Sequence, residues 1–443
     1  MSERLRSVGL DVGTTTTQLV ISELEIQNQA GAFAVPQMAI TERKILYRSP
    51  VYFTPLVGQN LVDGAAIRRI VDQEYEKAGI KRADLDTGAV IITGETSRKE
   101  NARAVLENLS EFAGDFVVAT AGPDLESVLA AKGAGAVEFS EKTGKTVLHM
   151  DIGGGTSNLA LIADGKIIAT GCLNVGGRLL KFDEKGEIIY VSPVLQAFHK
   201  SVQELVEMLV QALEMAAGLR RPDALFHHFW TQESAGGEAW LEKLPKENLV
   251  ISFSGGVADC IEQRHDALAF GDIGPALGKA IRESRLCAGQ YRLGEQTIRA
   301  TVIGAGCHSA QLSGSTVFYK NVEFPLKNLP VVRITDASQI RQRLQAQDGP
   351  AVLAMEGIAA PSYAAVVSLA QQIAAAMGES PVYVALEQDM AKALGQAIAL
   401  GLPQDRPCLC IDSVKLEEGS FLDVAAPVGP ALPVVIKTLI LGG

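Results

Sequence analysis

Val8-Gly-Leu-Asp-Val-Gly-Thr-Thr-Thr-Thr-Gln-Leu-Val-Ile-Ser22 is repeated, in outline, by Leu148-His-Met-Asp-Ile-Gly-Gly-Gly-Thr-Ser-Asn-Leu-Ala-Leu-Ile162 when Asp11 is laid on Asp151. Each copy reads as an apolar strand ending in a carboxylate, then a glycine and small hydroxyls, then an amide residue and a second apolar strand. Gly13 and Gly153 to Gly155 let backbone N–H groups approach an anion, and the hydroxyls of Thr14, Thr15, Thr16 and Thr156 add donors. Two such loops, each rooted in an Asp, suit the two sides of one polyphosphate.

The rest of the chain is organised around that pair. At 443 residues it is too long for one ordinary core, so two or three domains are expected. Strand-like and helix-like stretches alternate throughout, which predicts α/β layers. After the first loop, residues 23 to 60 read as irregular apart from a strand at Val51–Phe53, and a helix is expected from Gly64 to Ala78. Strands follow at Val90–Thr93 and Phe116–Ala119. A helix beginning at Pro123 and running through Ala136 delivers the chain to the second loop. The spacing of Val202, Leu205, Val206, Leu209 and Leu213 predicts a long amphipathic helix with its stripe in the core. Leu249–Phe253 enters the glycine turn Ser254-Gly255-Gly256. Arg299–Ile303 reads as a strand feeding a small-residue helix, Gly304 to Gly314. Beyond Val317 the pattern restarts, with strands at Pro330–Ile334, Ala351–Met355, Val382–Leu386 and Cys408–Ile411 and helices near 336–346, 361–377 and 388–401.

Composition narrows the class. Net charge is −11, from 40 basic and 51 acidic residues, without a Lys/Arg run that would track a phosphate backbone, so nucleic-acid binding is not expected. No apolar run reaches the roughly 18 residues of a membrane span, and the N-terminus lacks the pattern of a signal peptide, so a cytosolic protein is expected. The six cysteines, at 172, 260, 287, 307, 408 and 410, are scattered and read as reduced thiols.

The order phosphate loop, connecting helix, second phosphate loop, Ser-Gly-Gly turn and small-residue helix resembles the ATPase superfamily of actin, sugar kinases and heat-shock chaperones. The resemblance covers about residues 7 to 316. It implies an α/β chain of two duplicated ribonuclease-H-like lobes, 1–140 and 141–316, closing over ATP, with a C-terminal α/β extension over 317–443. It also implies roles. Asp11 and Asp151 would hold a hydrated Mg2+, since that hard cation takes one or two carboxylates and keeps its waters. Gly13, Thr14, Thr15, Thr16, Gly153, Gly154, Gly155 and Thr156 would cradle the phosphates, and Ser254, Gly255 and Gly256 would lie against the adenosine. Pro123–Ala136 and Gly304–Gly314 would be the hinge helices, crossing closely because their residues are small. In the chaperones a Glu near the start of the first connecting helix positions water. The matching place here is read as Gly122, which leaves Glu95 as the nearest acidic replacement, with a helix cap as its equal alternative.

Within the superfamily, Ile92-Thr-Gly-Glu-Thr-Ser-Arg-Lys-Glu-Asn-Ala102, Ala119-Thr-Ala-Gly-Pro-Asp-Leu-Glu-Ser127, Tyr47–Pro50 with Phe53–Pro55, and Pro433–Leu439 resemble the EutA family of ethanolamine ammonia-lyase reactivating factors. That resemblance spans the whole chain. It implies an ATP-dependent chaperone that releases damaged cobalamin from ethanolamine ammonia-lyase, working in the cytoplasm or beside a bacterial microcompartment. Three other readings share the fold. A sugar-type kinase needs a further carboxylate as base; Asp259 follows the Ser-Gly-Gly turn and Asp63 precedes a helix, but neither sits in a kinase-like setting. An iron–sulfur ATPase activator needs clustered cysteines. An actin-like filament protein needs only the two lobes.

Overall fold

Two sheets repeat one strand order. In the first, Met38–Arg48, Thr16–Asn28 and Glu3–Val12 form an antiparallel meander, and Thr87–Ile92 and Val117–Thr120 continue it parallel to Glu3–Val12. The second runs Lys166–Leu173, Ser157–Ala163, Thr146–Ile152, Leu249–Ser254 and Tyr291–Leu293 with the same senses. This duplicated order is that of two ribonuclease-H-like lobes, the actin-like ATPase fold. The structure is a computed structural model and describes residues 3–13, 16–28, 38–57, 61–93, 117–120, 123–231, 236–245, 248–263, 265–266, 269–308, 310–313, 316–344, 349–416, 418, 420–427 and 431–438.

Strand alternation decides where the acids point. Val8, Leu10 and Val12 enter a core beneath the helix Gly64–Ala78, with Ile67 and Val71. The opposite face of the same strand carries Ser7, Gly9 and Asp11. Gly9 lies against the helix Ala300–His308, where a Cβ would sit 2.5 Å from the Val302 carbonyl, and Asp11 emerges where the strand ends. The second lobe repeats the device. Leu148, Met150 and Ile152 join a core with the helix Val202–Ala216, leaving His149 and Asp151 on the other face. That helix starts on a capping box between Ser201 and Glu204, and its apolar stripe is core, as its spacing predicts.

The connecting helices Pro123–Gly133 and Ala300–His308 cross in near contact. A Cβ on Gly133 would lie 1.9 Å from the Ala300 carbonyl, and one on Gly304 would lie 2.0 Å from that of Leu129. Glycine is what permits the crossing.

Four local expectations need correction. The small-residue helix expected over Gly304–Gly314 ends at His308, because Ala310–Leu312 pairs as a strand with Pro433–Thr438. Residues 23 to 60 are not irregular, because Thr16–Asn28 runs on into a long partner, Met38–Arg48. This is an edge strand, exposed over Thr41–Lys44, so it lacks the apolar alternation that marks a strand. The helix expected through Ala136 ends at Gly133, and a second helix, Ala136–Thr143, starts after Gly135 at φ 69°. Arg299–Ile303 is not a strand. Its apolar β-branched run is the first half of the helix Ala300–His308, where Val302 and Ala305 are buried, so burial imitates strand composition.

The C-terminal region has its own sheet. Leu326–Arg333, Val352–Met355, Val382–Leu386 and Cys408–Ile411 are parallel neighbours flanked by antiparallel strands; the last three keep close to their expected bounds, while the first starts at Leu326 rather than Pro330. Its strands Ala310–Leu312 and Pro433–Thr438 touch the first lobe, where Val435 joins the cluster of Leu5, Val20 and Ile91. Among the described residues, no helix is long and apolar enough to cross a membrane.

Candidate functional site

The two loops are built alike. In each, the glycine after the strand closes a tight turn on the threonine three residues on: Gly13 N–H donates to Thr16 O at 2.9 Å, and Gly153 N–H to Thr156 O at 2.9 Å. Each is braced from behind. Thr54 donates to the Gly13 carbonyl at 2.7 Å, while Gly177 N–H and Arg178 N–H donate to the Gly153 and Gly154 carbonyls at 3.0 and 2.7 Å. Gly176 is required there, since a Cβ would lie 2.4 Å from Gly154 O. On the open side nothing lies within 4 Å of where a Gly155 Cβ would be. That gap is shaped for a ligand to approach backbone. Thr14 and Thr15 lie outside the described residues.

Both loops open on one cleft of about 710 Å³ between the lobes, lined by Asp11, Gly13, Thr16, Asp151, Gly153, Gly154, Gly155, Thr156, Gly255 and Gly256. Asp11 and Asp151 are 9% and 7% exposed. Burial pushes Asp11 up to about 7, against a hydrogen bond from Thr93 and with help from the charge of Asp151. Burial likewise pushes Asp151 up to about 6, against hydrogen bonds from Ser254 and Thr301. Beside them, in strand register, stand Gln18 and Asn158. Their amide nitrogens are used, on Ile298 O at 3.1 Å and Glu126 Oε2 at 2.7 Å, but Gln18 Oε1 and Asn158 Oδ1 are buried without a hydrogen-bond partner. Two buried carboxylates and two orphaned amide oxygens are the donor chemistry of a hard, hydrated cation, so the residues fit Mg2+.

The Ser-Gly-Gly turn does two jobs. Gly256 faces open space in the cleft, with its nearest neighbour Ile298 3.8 Å from a Cβ. Gly255 has φ +86° and would press a Cβ to 2.3 Å from the Ile152 carbonyl. Ser254, expected beside adenosine, lies instead behind the cleft, fully buried, donating to Asp151 Oδ1. His149 Nε2 is 2.9 Å from the same hydroxyl, and its Nδ1 is 3.2 Å from Ser252 Oγ. Since Ser254 gives its proton to Asp151, His149 donates from Nε2 and accepts from Ser252, which fixes its tautomer. Burial, with the charge of Arg292, pushes His149 down to about 3 and keeps it neutral. The chain Ser252–His149–Ser254 thus holds Asp151 in one orientation. Its signal in the sequence is the shared spacing of two, His149/Asp151 and Ser252/Ser254, on strands that pair in register.

Glu126 is a cleft residue that sequence reasoning passes over. It sits in the first turn of the connecting helix, 7% exposed, and lines the cleft. Glu95 and Gly122 lie outside the described residues. Asp63 caps the helix Gly64–Ala78 through Ala66 N–H at 2.9 Å, and Asp259 accepts from Thr297 Oγ1 at 2.6 Å. Across the mouth, Arg178 of the second lobe pairs with Asp272 at 3.0 Å and lies 5.5 Å from the ring centroid of Phe53 in the first.

Comparison with known proteins gives the family. The model of the family described as "Ethanolamine utilisation protein EutA" matches residues 3–442. The chain is 38% identical over 465 residues to the ethanolamine ammonia-lyase reactivase EutA of Salmonella typhimurium, with 99% of each covered. It is 38% identical over 469 residues to the protein of that name from Escherichia coli, again with 99% of each covered. Among solved structures, a Ppx/GppA family member from Aquifex aeolicus is similar at a TM-score of 0.43 and 14% identity, over 68% of this chain and 97% of that one.

Proposed function

The chain belongs to the EutA family, and from that premise we propose that it is an ATP-dependent reactivating chaperone for ethanolamine ammonia-lyase, freeing that enzyme of damaged cobalamin. The observation that carries the client is the full-length match to two reactivases. The cleft supplies the energy source in this reading.

Asp11 and Asp151 would hold Mg2+, which supplies neutralisation of phosphate charge when bound. The backbone of Gly153 to Gly155 and the hydroxyls of Thr16 and Thr156 hold the phosphates and oppose charge that builds on the transferring group. Glu126, beside Asn158, orients the attacking water and takes its proton at a carboxylate oxygen. Gly255 and Gly256 give the adenosine a bare backbone to lie against. Nucleotide drives the client only through differential affinity for open and closed lobes. The glycine crossing of the connecting helices is where those states would interconvert, and Arg178 over Phe53 would part as the mouth opens. Residues 317–443 act as the client-facing module, carried with the first lobe because Val435 is packed into it.

The test is reactivation of cyanocobalamin-inactivated ethanolamine ammonia-lyase with ATP, with a non-hydrolysable analogue, and with the Asp151→Asn variant. Rescue by ATP and wild type alone is expected. Full rescue by Asp151→Asn would remove the second loop from the mechanism. The kinase reading is less well served, because Asp63 is spent on capping a helix; transfer of labelled γ-phosphate to a small polyol would establish it.

A further inference from the structure

A second group of acids lies far along the chain from the cleft, at the carboxyl ends of the parallel strands in the C-terminal sheet. Val382–Leu386 leads into Asp389, and Cys408–Ile411 ends directly at Asp412. The antiparallel strand beside them, Phe318–Lys320, is preceded by Thr316, which its register sets opposite Asp412. The carboxyl edge of such a sheet is where α/β domains collect ligands.

The hydrogen-bond count there does not close. Thr316 Oγ1 is 2.6 Å from Asp389 Oδ1 and also in contact with Asp412 Oδ2, yet a hydroxyl has one proton to give. Asp412 Oδ2 further accepts from Ala391 N–H at 3.1 Å. Asp412 Oδ1 has no hydrogen-bond partner, although the residue is 1% exposed. Burial raises Asp412, hydrogen bonds from Thr316 and Ala391 oppose this, and the facing charge of Asp389 and a carboxyl contact with it raise it again. Two carboxylates therefore converge on one hydroxyl, with a buried oxygen left over. Asp389 is exposed and gives the group an opening to solvent.

We propose that Asp389, Asp412 and Thr316 form a binding site for a hydrated divalent cation of the hard, oxygen-seeking class, such as Mg2+, Mn2+ or Ca2+. The cation takes Asp412 Oδ1 and one Asp389 oxygen and keeps water elsewhere, as small hard cations do. Thr316 then needs to donate to only one carboxylate, and the unpaired charge is compensated. Bound there, the ion ties the start of the helix Ala391–Leu400 to the end of the strand Cys408–Ile411.

Mn2+ binding to the full chain without nucleotide, followed by electron paramagnetic resonance, tests this. The cleft is silenced first with Asp11→Asn and Asp151→Asn. One Mn2+ per chain is expected to remain. Adding Asp389→Asn, an exposed change that leaves the fold intact by circular dichroism, is expected to weaken it by at least about tenfold, since even outer-shell partners of a metal are worth that much. Asp412→Asn should do the same. The proposal is overturned if the cleft-silenced chain takes up no Mn2+, which would mean that a shared proton joins the two acids. Mn2+ affinity unchanged by Asp389→Asn would overturn it equally.

Discussion

Asn158 donates from Nδ2 to Glu126 Oε2 at 2.7 Å, and that bond joins the strand leaving the second glycine loop to the helix Pro123–Gly133. Asn158 pairs with Asp151 across the hairpin, so a water held between Glu126 and Asp151 would be placed by the helix and the strand together. Glu126→Gln keeps an acceptor for Asn158 but loses the base. We expect unchanged nucleotide affinity and ATP hydrolysis slower by roughly 10²–10⁴, the usual worth of a positioned general base. Equal loss of binding and turnover would make Glu126 a structural partner only.

Asp11 and Asp151 make the cleft pH-sensitive. With values of about 7 and about 6, both hold protons well above their ordinary 3.8 in the cation-free protein. The folded state then binds more protons than the unfolded one, so stability falls as pH rises from about 4 to about 7. Mg2+ competes with those protons, so affinity for the Mg2+–nucleotide complex weakens as pH drops from about 7 through 6. Titration calorimetry across that range checks the direction, and Asp11→Asn should remove the upper step.

Much of this cleft is legible in the sequence, because its parts are local. The doubled Asp-x-Gly phrase places Asp11 and Asp151 at strand ends, and the same tight turn forms in both loops through Gly13–Thr16 and Gly153–Thr156. What escapes reading depends on register between distant strands. His149 meets Ser254 only because Thr146–Ile152 and Leu249–Ser254 pair in parallel with Asp151 opposite Ser254. Glu126 escapes for another reason: alignment by motif points to Gly122, whereas the helix starts at Pro123 and its first turn carries the acid into the cleft. The strand Met38–Arg48 is hidden by its own exposure.

Glu74 holds the floor beneath Tyr52, a cleft residue. Fully buried, it accepts from Tyr47 at 2.7 Å, Tyr52 at 2.5 Å and Lys77 at 2.6 Å. Burial alone would raise its pKa, but the bonds from Lys77, Tyr52 and Tyr47 hold it below the ordinary 4.5. A depressed acid stabilises the fold above its unfolded value, and that stability is lost as pH falls through the folded value. Glu74→Gln should therefore cost about 2–4 kcal/mol at neutral pH, as hydrogen bonds to a buried charge do. Urea unfolding should show the difference shrinking below pH 4.5.

Gly255 and Gly256 stand side by side in the Ser-Gly-Gly turn yet should fail in opposite ways. Alanine at Gly255 meets the Ile152 carbonyl at 2.3 Å and must hold φ +86°, so backbone has to move in the strand that ends at Asp151. The left-handed conformation alone costs an L residue roughly 1–2 kcal/mol, and the clash adds to it. Gly255→Ala should lower the unfolding midpoint in urea and weaken nucleotide binding together. Alanine at Gly256 meets only Ile298, at 3.8 Å, and has no such penalty in the free protein. Its methyl projects instead into the space proposed for the nucleoside. Gly256→Ala should leave the unfolding midpoint where it is and weaken ATP and ADP alike, with inorganic phosphate unaffected. Wild-type ATP affinity in that variant would place the nucleoside elsewhere in the cleft.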